Sequence, residues 1–217
     1  MRRQYAAGVK VARLVLASAS PRRRQLLARL KVPFDVRPVD ILEEPGRSVN
    51  PQIVARRLAR EKAEAARLTD EHAPILAADT VVACDGRLLA KPGDAREARE
   101  ILTFLRNRTH DVVTAVAFVP RDKRAPLVRH PVTKVTMRDY SDAEIAESIK
   151  LGTPFDKAGG YAIQDEDFSS VTSYDGCYCN VIGLSLWSTI ELMRKSGWEV
   201  DLRAAEFLPQ CASCPFS

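Results

Sequence analysis

The chain has 217 residues, of which 46% are hydrophobic and 28% charged; this excludes a disordered chain and suits one globular domain with room for two lobes. The formal charge is +5, which favours acidic ligands, but Lys and Arg are spread along the whole sequence with no long basic block, so a nucleic-acid-binding tail is not indicated. Five cysteines, an odd number, argue against a disulfide framework and for the cytoplasm.

The first twenty residues imitate a secretory leader, with a basic start, an apolar stretch and small residues. Arg13 interrupts that stretch, which leaves it at the short end for a leader. Residues 1–11 are therefore expected to be a flexible extension. No stretch approaches the length of a membrane span. Residues 13–17 (RLVLA) predict a short buried strand. Ser20 is an N-cap candidate and Pro21 suits the first helical position of a helix to about Leu30, with Leu26, Leu27 and Leu30 inward. A second strand is expected at 34–38. Asn50-Pro51 repeats the cap-then-Pro signal and opens a helix to about Leu68, with Ile53, Val54, Leu58 and Ala65 near one face.

Residues 74–83 (PILAADTVVA) predict an apolar strand with one acid in its middle. Asp85-Gly86 is a hairpin signal returning through Leu88 and Leu89. Asp94 with Glu97 predicts a capped helix to about Arg106. Residues 111–119 read as a strongly apolar strand, and 127–138 as another, weakened by Pro131. Ser141 with Glu144 forms a capping box for a helix ending near Gly152. A loop follows, then a short strand at Tyr161–Gln164, a hairpin across Asp175-Gly176 and a last helix over 184–195. Strands and helices interleave throughout, so the class is α/β with a mixed sheet.

Four features carry chemistry. In "SASPRR" the strand ends, Ser20 caps, and Arg22 and Arg23 occupy the second and third helical positions. Three arginines at a helix start, where the backbone is already partially positive, form an anion site. The helix terminus contributes about 0.3–2 kcal/mol and each charge-assisted hydrogen bond roughly 1.5–3 kcal/mol, so only the combination suits a polyphosphate. Asp79, inside ILAADTVVA, is a lone acid in an apolar strand and needs a cation or a task. It is read as a metal ligand or a general base. Lys62 in LAREKA and Lys91 in LLAKPGD add positive charge. In DKAGGYAIQ two glycines before Tyr161 allow close backbone approach to a ligand, and Gln164 offers an amide that both donates and accepts.

The motifs LASASPRR, LAREKA, AADTVV, KPGD, TAVAF, DKAGGYAIQ and NVIGLSL occur in that order. Over about residues 12–195 the chain resembles the Maf family of nucleoside triphosphate pyrophosphatases. The resemblance implies an α/β fold with a mixed twisted sheet, flanking helices and two lobes around a central cleft. It implies hydrolysis between the α- and β-phosphates, giving a nucleoside monophosphate and pyrophosphate, with a divalent cation, Mg²⁺ or Mn²⁺. By motif, Asp79 is similar to the proton acceptor that activates water, and Arg22, Thr80 and Gln164 to the positions associated with substrate choice. Ser18, Ser20, Arg23, Lys62 and Lys91 resemble substrate-binding residues, and Glu43 with Asp79 metal contacts. DKAGGYAIQ is similar to the subgroup acting on dTTP and UTP rather than the sister subgroup acting on 7-methyl-GTP. The implied partners are small-molecule nucleoside triphosphates, with no stable nucleic acid and no membrane, and a homodimer is compatible.

The chain departs from the family pattern at three positions. Leu42 replaces an acid before Glu43, Asp165 follows Gln164 where Gly is usual, and Ser185 replaces a common Pro. The segment 203–217, with CASC at 211–214, lies outside the resemblance, beyond the domain expected over 12–202, and is expected to form a tail. CASC has metal-ligand spacing, but zinc needs four ligands, and Cys177 and Cys179 complete a set only if the fold brings them close. A nucleic-acid-binding regulator is the main alternative; few aromatics and no recognised binding module weigh against it. A serine or cysteine hydrolase is disfavoured, because none of His72, His110 and His130 has the context of a base.

Overall fold

The computed structural model describes residues 13–41, 46, 48–70, 72–122 and 125–215. The expected extension at 1–11, and Leu42 and Glu43, lie outside the described residues. Strand β1 (Leu14–Leu16) leads through Ser18-Ala19-Ser20 into helix α1 (Pro21–Ala28). The Ser20 hydroxyl accepts from the Arg23 N–H at 3.4 Å, so the predicted cap is formed. Strand β2 (Phe34–Val36) pairs with β1 in parallel. Helix α2 (Pro51–Thr69) starts on the Asn50 side chain, which accepts from the backbone of Gln52 and Ile53.

The face that α2 buries differs from the expected one. Ile53 is 55% exposed and Ala65 only half-buried, whereas Val54, Ala55, Leu58, Ala59, Lys62, Ala63 and Ala66 face inward. Four alanines on that stripe let the helix lie close against the sheet, a packing preference that outweighs the larger Ile53. Lys62 is carried inward by the same rotation.

Strand β3 (Ile75–Cys84) turns at Asp85-Gly86 into β4 (Arg87–Leu89). Both turn residues have positive φ, as a two-residue hairpin of this type requires. Helix α3 (Ala95–Leu105) is capped by Asp94, and β5 (Thr109–Val119) runs antiparallel to β3 along nine residue pairs. The expected single strand at 127–138 is two, β6 (Leu127–Arg129) and β7 (Val132–Met137). Pro131 lacks the N–H that a continuous ladder needs. Both pieces pair with β5 at different places. Helix α4 (Asp142–Lys150) carries the complete Ser141–Glu144 capping box.

Two further expectations are corrected. Tyr161–Gln164 is not a strand; it follows a short 3-10 turn at Ala158–Gly160 and ends in a turn. Asp175-Gly176 does not close a hairpin. It ends β8 (Val171–Asp175) and leads into a short helix α5 (Tyr178–Ile182), followed by α6 (Leu186–Lys195) with Ser185 as its N-cap. The hairpin signal was satisfied by a strand-to-helix turn, because β8 finds its partner in β7 rather than in the chain that follows.

The strands form one mixed sheet in the order β2-β1-β3-β5-β7-β8, with β4 added to β3 and β6 to β5. One core packs Leu26 and Leu27 of α1 and Leu186 and Ile190 of α6 against Leu14, Leu16, Leu76 and Phe118. A second lies under α2, on Val15, Ile75, Ala77 and Ala115. A third fills the other end of the sheet, where α3 and α4 cover Val82, Val112 and Met137. Strand β3 feeds all three cores, and Asp79 and Thr80 fall where it passes from one lobe to the other. The segment after α6 stays on the first core, with Val200, Cys211 and Cys214 buried there and Phe207 stacked on Trp187 at 4.7 Å. Among the described residues no helix is long and apolar enough to cross a membrane.

Candidate active site

The seam between the lobes opens into a cavity of about 480 Å³. Ser18, Ser20, Arg22, Arg23, Lys62, Asp79, Thr80, Lys91 and Gln164 all line it. These are the site residues expected from the sequence, except for Glu43, which lies outside the described residues. Five cationic side chains (Arg22, Arg23, Lys62, Lys91 and Lys157) face two carboxylates, Asp79 and Asp156. The excess of positive charge suits a polyanion.

Asp79 explains its place in an apolar strand through Lys62. The Lys62 Nζ lies 2.5 Å from Asp79 Oδ1, and both residues are buried. A carboxylate taken from water needs such a cation.

Arg23 is held on three sides. Its Nε donates to the Gly183 carbonyl at 2.9 Å, Nη1 to Ser18 Oγ at 3.4 Å and Nη2 to Thr80 Oγ1 at 3.1 Å. The Thr80 hydroxyl accepts from Arg23 and so has its own hydrogen for Thr114 Oγ1, 2.9 Å away. Thr114 in turn donates to the Asn180 carbonyl at 2.6 Å. All hydroxyls in this chain point one way, from the guanidinium into the core, and the direction fixes the Thr80 rotamer. The Asn180 side chain completes the network: it accepts from the Thr114 N–H at 2.8 Å and donates to the Val112 carbonyl at 2.8 Å.

Arg22 reaches across the cavity. Its Nη1 donates to Asp156 Oδ2 at 2.7 Å and its Nη2 to the Asp156 carbonyl at 3.2 Å. Lys157 also binds the Asp156 carboxylate. The two cations hold the Asp156 carboxyl below the usual carboxylate range, against the opposing effect of its burial. In this structure Arg22 is thus bonded, across the cavity, to a carboxylate of the chain itself.

The glycine pair has a different reason from the expected one. Neither Gly159 nor Gly160 lines the cavity. Gly159 has φ +76°, and a Cβ there would lie 3.1 Å from Val82 Cγ1, so the turn itself requires it. Gln164 is exposed at the cavity edge. Asp165 does not line the cavity; its carboxylate accepts from the Phe168 N–H at 3.0 Å and caps the next turn. Behind the pocket, Tyr161 OH and His110 Nε2 are 2.7 Å apart. Burial pushes the His110 pKa down to about 4, so the ring is neutral at pH 7.

Asn180, Asp156 and Gly183 were missed by sequence reasoning. Asn180 had a signal, since a polar residue within CNVIGL poses the same question as Asp79. Asp156 and Gly183 had none, because their roles depend on arginines more than a hundred residues away.

The profile described as Maf-like protein matches residues 13–196. A dTTP/UTP pyrophosphatase of Thermomicrobium roseum is 51% identical over 206 residues, covering 94% of each chain. One from Myxococcus xanthus is 45% identical, covering 88% of this chain and 96% of its own. Another, from Citrifermentans bemidjiense, is 42% identical over 87% of this chain and 98% of its own.

Proposed function

The chain belongs to the Maf family, and from that premise we propose that it hydrolyses dTTP and UTP to the monophosphate and pyrophosphate, clearing the nucleotide pool. The observation that carries this reading is the meeting of Asp79, Thr80 and Gln164 with four of the cavity's cations, Arg22, Arg23, Lys62 and Lys91. The names of the relatives support the same choice of substrates.

The triphosphate enters as a polyanion, and the helix start with Arg22 and Arg23 receives it. Phosphate oxygens replace the Asp156 carboxylate on Arg22 and compete with Asp79 for the Lys62 ammonium. As Lys62 turns toward phosphate, Asp79 can accept a proton from water. The resulting hydroxide attacks one phosphorus of the α–β anhydride, forming a new P–O bond as the bond to the bridging oxygen breaks, and pyrophosphate leaves with its charge matched by the cations. Thr80 cannot turn freely, since Arg23 and Thr114 hold its hydroxyl, so it presents a fixed contour to the substrate.

One buried carboxylate together with phosphate oxygens is a donor set that magnesium-class ions accept. Asp79 would hold Mg²⁺ or Mn²⁺ with the substrate, and Glu43 is the second candidate. The ion supplies further charge neutralisation on the phosphates when bound.

Thymine and uracil present an acceptor–donor–acceptor edge, and the Gln164 amide can pair with part of it. A polar edge left unpaired by a wrong base disfavours that base strongly. Among the described residues no disulfide is present, which suits a cytoplasmic enzyme.

The test is kcat/KM for dTTP, UTP, CTP, ATP, GTP and 7-methyl-GTP with one divalent ion, read by pyrophosphate release. dTTP and UTP are expected to lead, CTP to be weaker and the purines poor. A purine nucleotide exceeding both dTTP and UTP would overturn the base assignment, and absence of pyrophosphate with every nucleotide would overturn the reaction.

A further inference from the structure

Four of the five cysteines meet far from one another in sequence but together in space. Cys177 is the N-cap of α5 and Cys179 lies in its first turn. Cys211 lies in a short 3-10 turn, Pro209–Ser213, and Cys214 ends it. All four are buried in the same core. Cys179 Sγ and Cys211 Sγ are 3.4 Å apart, so the two pairs meet there. Cys84 stands elsewhere, in the core of the other lobe.

Packing alone does not call for this arrangement. Thiols are weak hydrogen-bonding groups, and alanine or valine would fill the space as well. What the arrangement does provide is two ligand pairs, each on a tight turn, facing one another. Cys211-x-x-Cys214 has the spacing of a zinc-ligand pair, and Cys177-x-Cys179 is one residue tighter. A zinc–sulfur bond of about 2.3 Å sets the sulfur–sulfur edge of a tetrahedron at about 3.8 Å. The Cys179–Cys211 edge, 3.4 Å, is shorter than that. Among the described residues no group of three donors is already arranged to hold an ion, so binding requires the four thiols to rearrange, with Cys179 and Cys211 parting by about 0.4 Å. The surroundings suit a charged centre: backbone at Asn180 hydrogen-bonds the Cys177 sulfur, and backbone at Leu208 that of Cys211, with Arg29 nearby. Arg29 is also tied to the same segment through the Glu206 carbonyl at 3.2 Å.

The geometry points to a structural site for one Zn²⁺ at Cys177, Cys179, Cys211 and Cys214, which fastens the C-terminal segment to the core. Four zinc–sulfur bonds form and four thiol protons leave to solvent; no sulfur changes oxidation state. The resulting double negative charge is offset by Arg29 and the backbone donors. The site does not line the reaction cavity. It shares α5 with it, and α5 ends at the Gly183 carbonyl that holds Arg23.

The full-length chain, purified under reducing conditions without chelator, is expected to carry one zinc per chain by elemental analysis. After zinc is stripped, titration with cobalt(II) chloride should produce sulfur-to-cobalt charge-transfer bands and tetrahedral ligand-field bands. Both should saturate at one cobalt per chain and vanish when one equivalent of zinc is added. The double variant Cys211→Ser/Cys214→Ser should lose the charge-transfer bands. If that variant fails to fold, the wild-type cobalt spectrum decides alone. Cobalt binding without sulfur bands would place the ion at oxygen ligands and overturn the site. So would a Cys179–Cys211 disulfide found by mass under the same reducing conditions.

Discussion

Asp79 and Lys62 form a pair in which each residue accounts for the other's burial. Removing one partner of a buried pair commonly costs about 3–5 kcal/mol, so stability and chemistry must be read separately at this site. Asp79→Asn keeps the shape of the side chain and removes its basicity. We expect turnover to fall by about 10²–10⁴ in a protein whose circular dichroism is unchanged. A folded variant that kept kcat within a few-fold of wild type would remove Asp79 from the role of base. Arg23 differs from Arg22 in what holds it. Arg23 is fixed by Ser18, Thr80 and Gly183, whereas Arg22 bonds a loop carboxylate across the cavity. Arg23→Ala should therefore weaken every nucleotide alike, since all share the phosphates, while Arg22→Ala should change the ratio of dTTP to purine turnover. Equal dTTP cleavage by Arg23→Ala and wild type would mean that the anion binds elsewhere.

At the scale of elements, the site is assembled from the start of α1, the middle of β3, the loop before Tyr161 and the end of α5. Gly183 shows the tolerance of that assembly. It has φ +124°, and a Cβ there would stand 3.4 Å from Thr80 Oγ1 and 3.5 Å from Arg23 Nε. Gly183→Ala forces a backbone that non-glycine residues rarely adopt, at about 1–3 kcal/mol, and crowds both partners. KM should rise for all nucleotides, with a lower melting temperature; an unchanged KM would show that Arg23 does not need this acceptor. The same elements show what a sequence discloses. Ser20, Asn50, Asp94 and Ser141 were readable as caps because a cap is a contact within three or four residues. Asp79 was readable because an acid in an apolar strand is a local contradiction. Lys62 was named as a candidate, but its burial against Asp79 was not readable, since LAREKA does not say which way α2 will turn, and the alanine stripe that decides it matters only against a sheet. Helix α5 was hidden by Asp175-Gly176, whose dipeptide signal is the same whether the chain returns to a sheet or enters a helix. The meeting of the four cysteines depended on where residues 196–214 fold back, which no local pattern encodes.

For the whole molecule, the lobe behind the cavity carries a pH dependence that the reaction itself does not need. His110 is 2% exposed, bonds Tyr161 through Nε2, and has no hydrogen-bond partner at Nδ1 among the described residues. Burial lowers its pKa from the ordinary 6.5 to about 4. The unfolded chain therefore takes up a proton near pH 6.5, and the folded chain does not until about pH 4. This group's contribution to stability is complete above pH 6.5 and is lost as the pH falls towards 4. The slope is about 1.4 kcal/mol per pH unit, and the whole loss is roughly 3 kcal/mol. His130 acts in the same sense, lowered by burial and by Arg56 and Arg129, so wild type alone does not isolate the effect. His110→Gln does, because an amide, which both donates and accepts, can still hydrogen-bond Tyr161 and does not titrate. Urea unfolding of both proteins from about pH 7 to 5 stays above most carboxylate titration. In that window wild type should lose stability relative to His110→Gln as the pH falls, with the difference growing steadily below about pH 6.5. Parallel curves for the two proteins would mean that the ring is not held neutral. Tyr161 lines the substrate cavity, so protonating His110 in the folded chain also changes the hydrogen bond that positions one of its walls. KM for dTTP should then stay flat from about pH 7 to 5 and rise in wild type, more than in the variant, only as the pH approaches 4, linking the stability of the second lobe to the shape of the cleft.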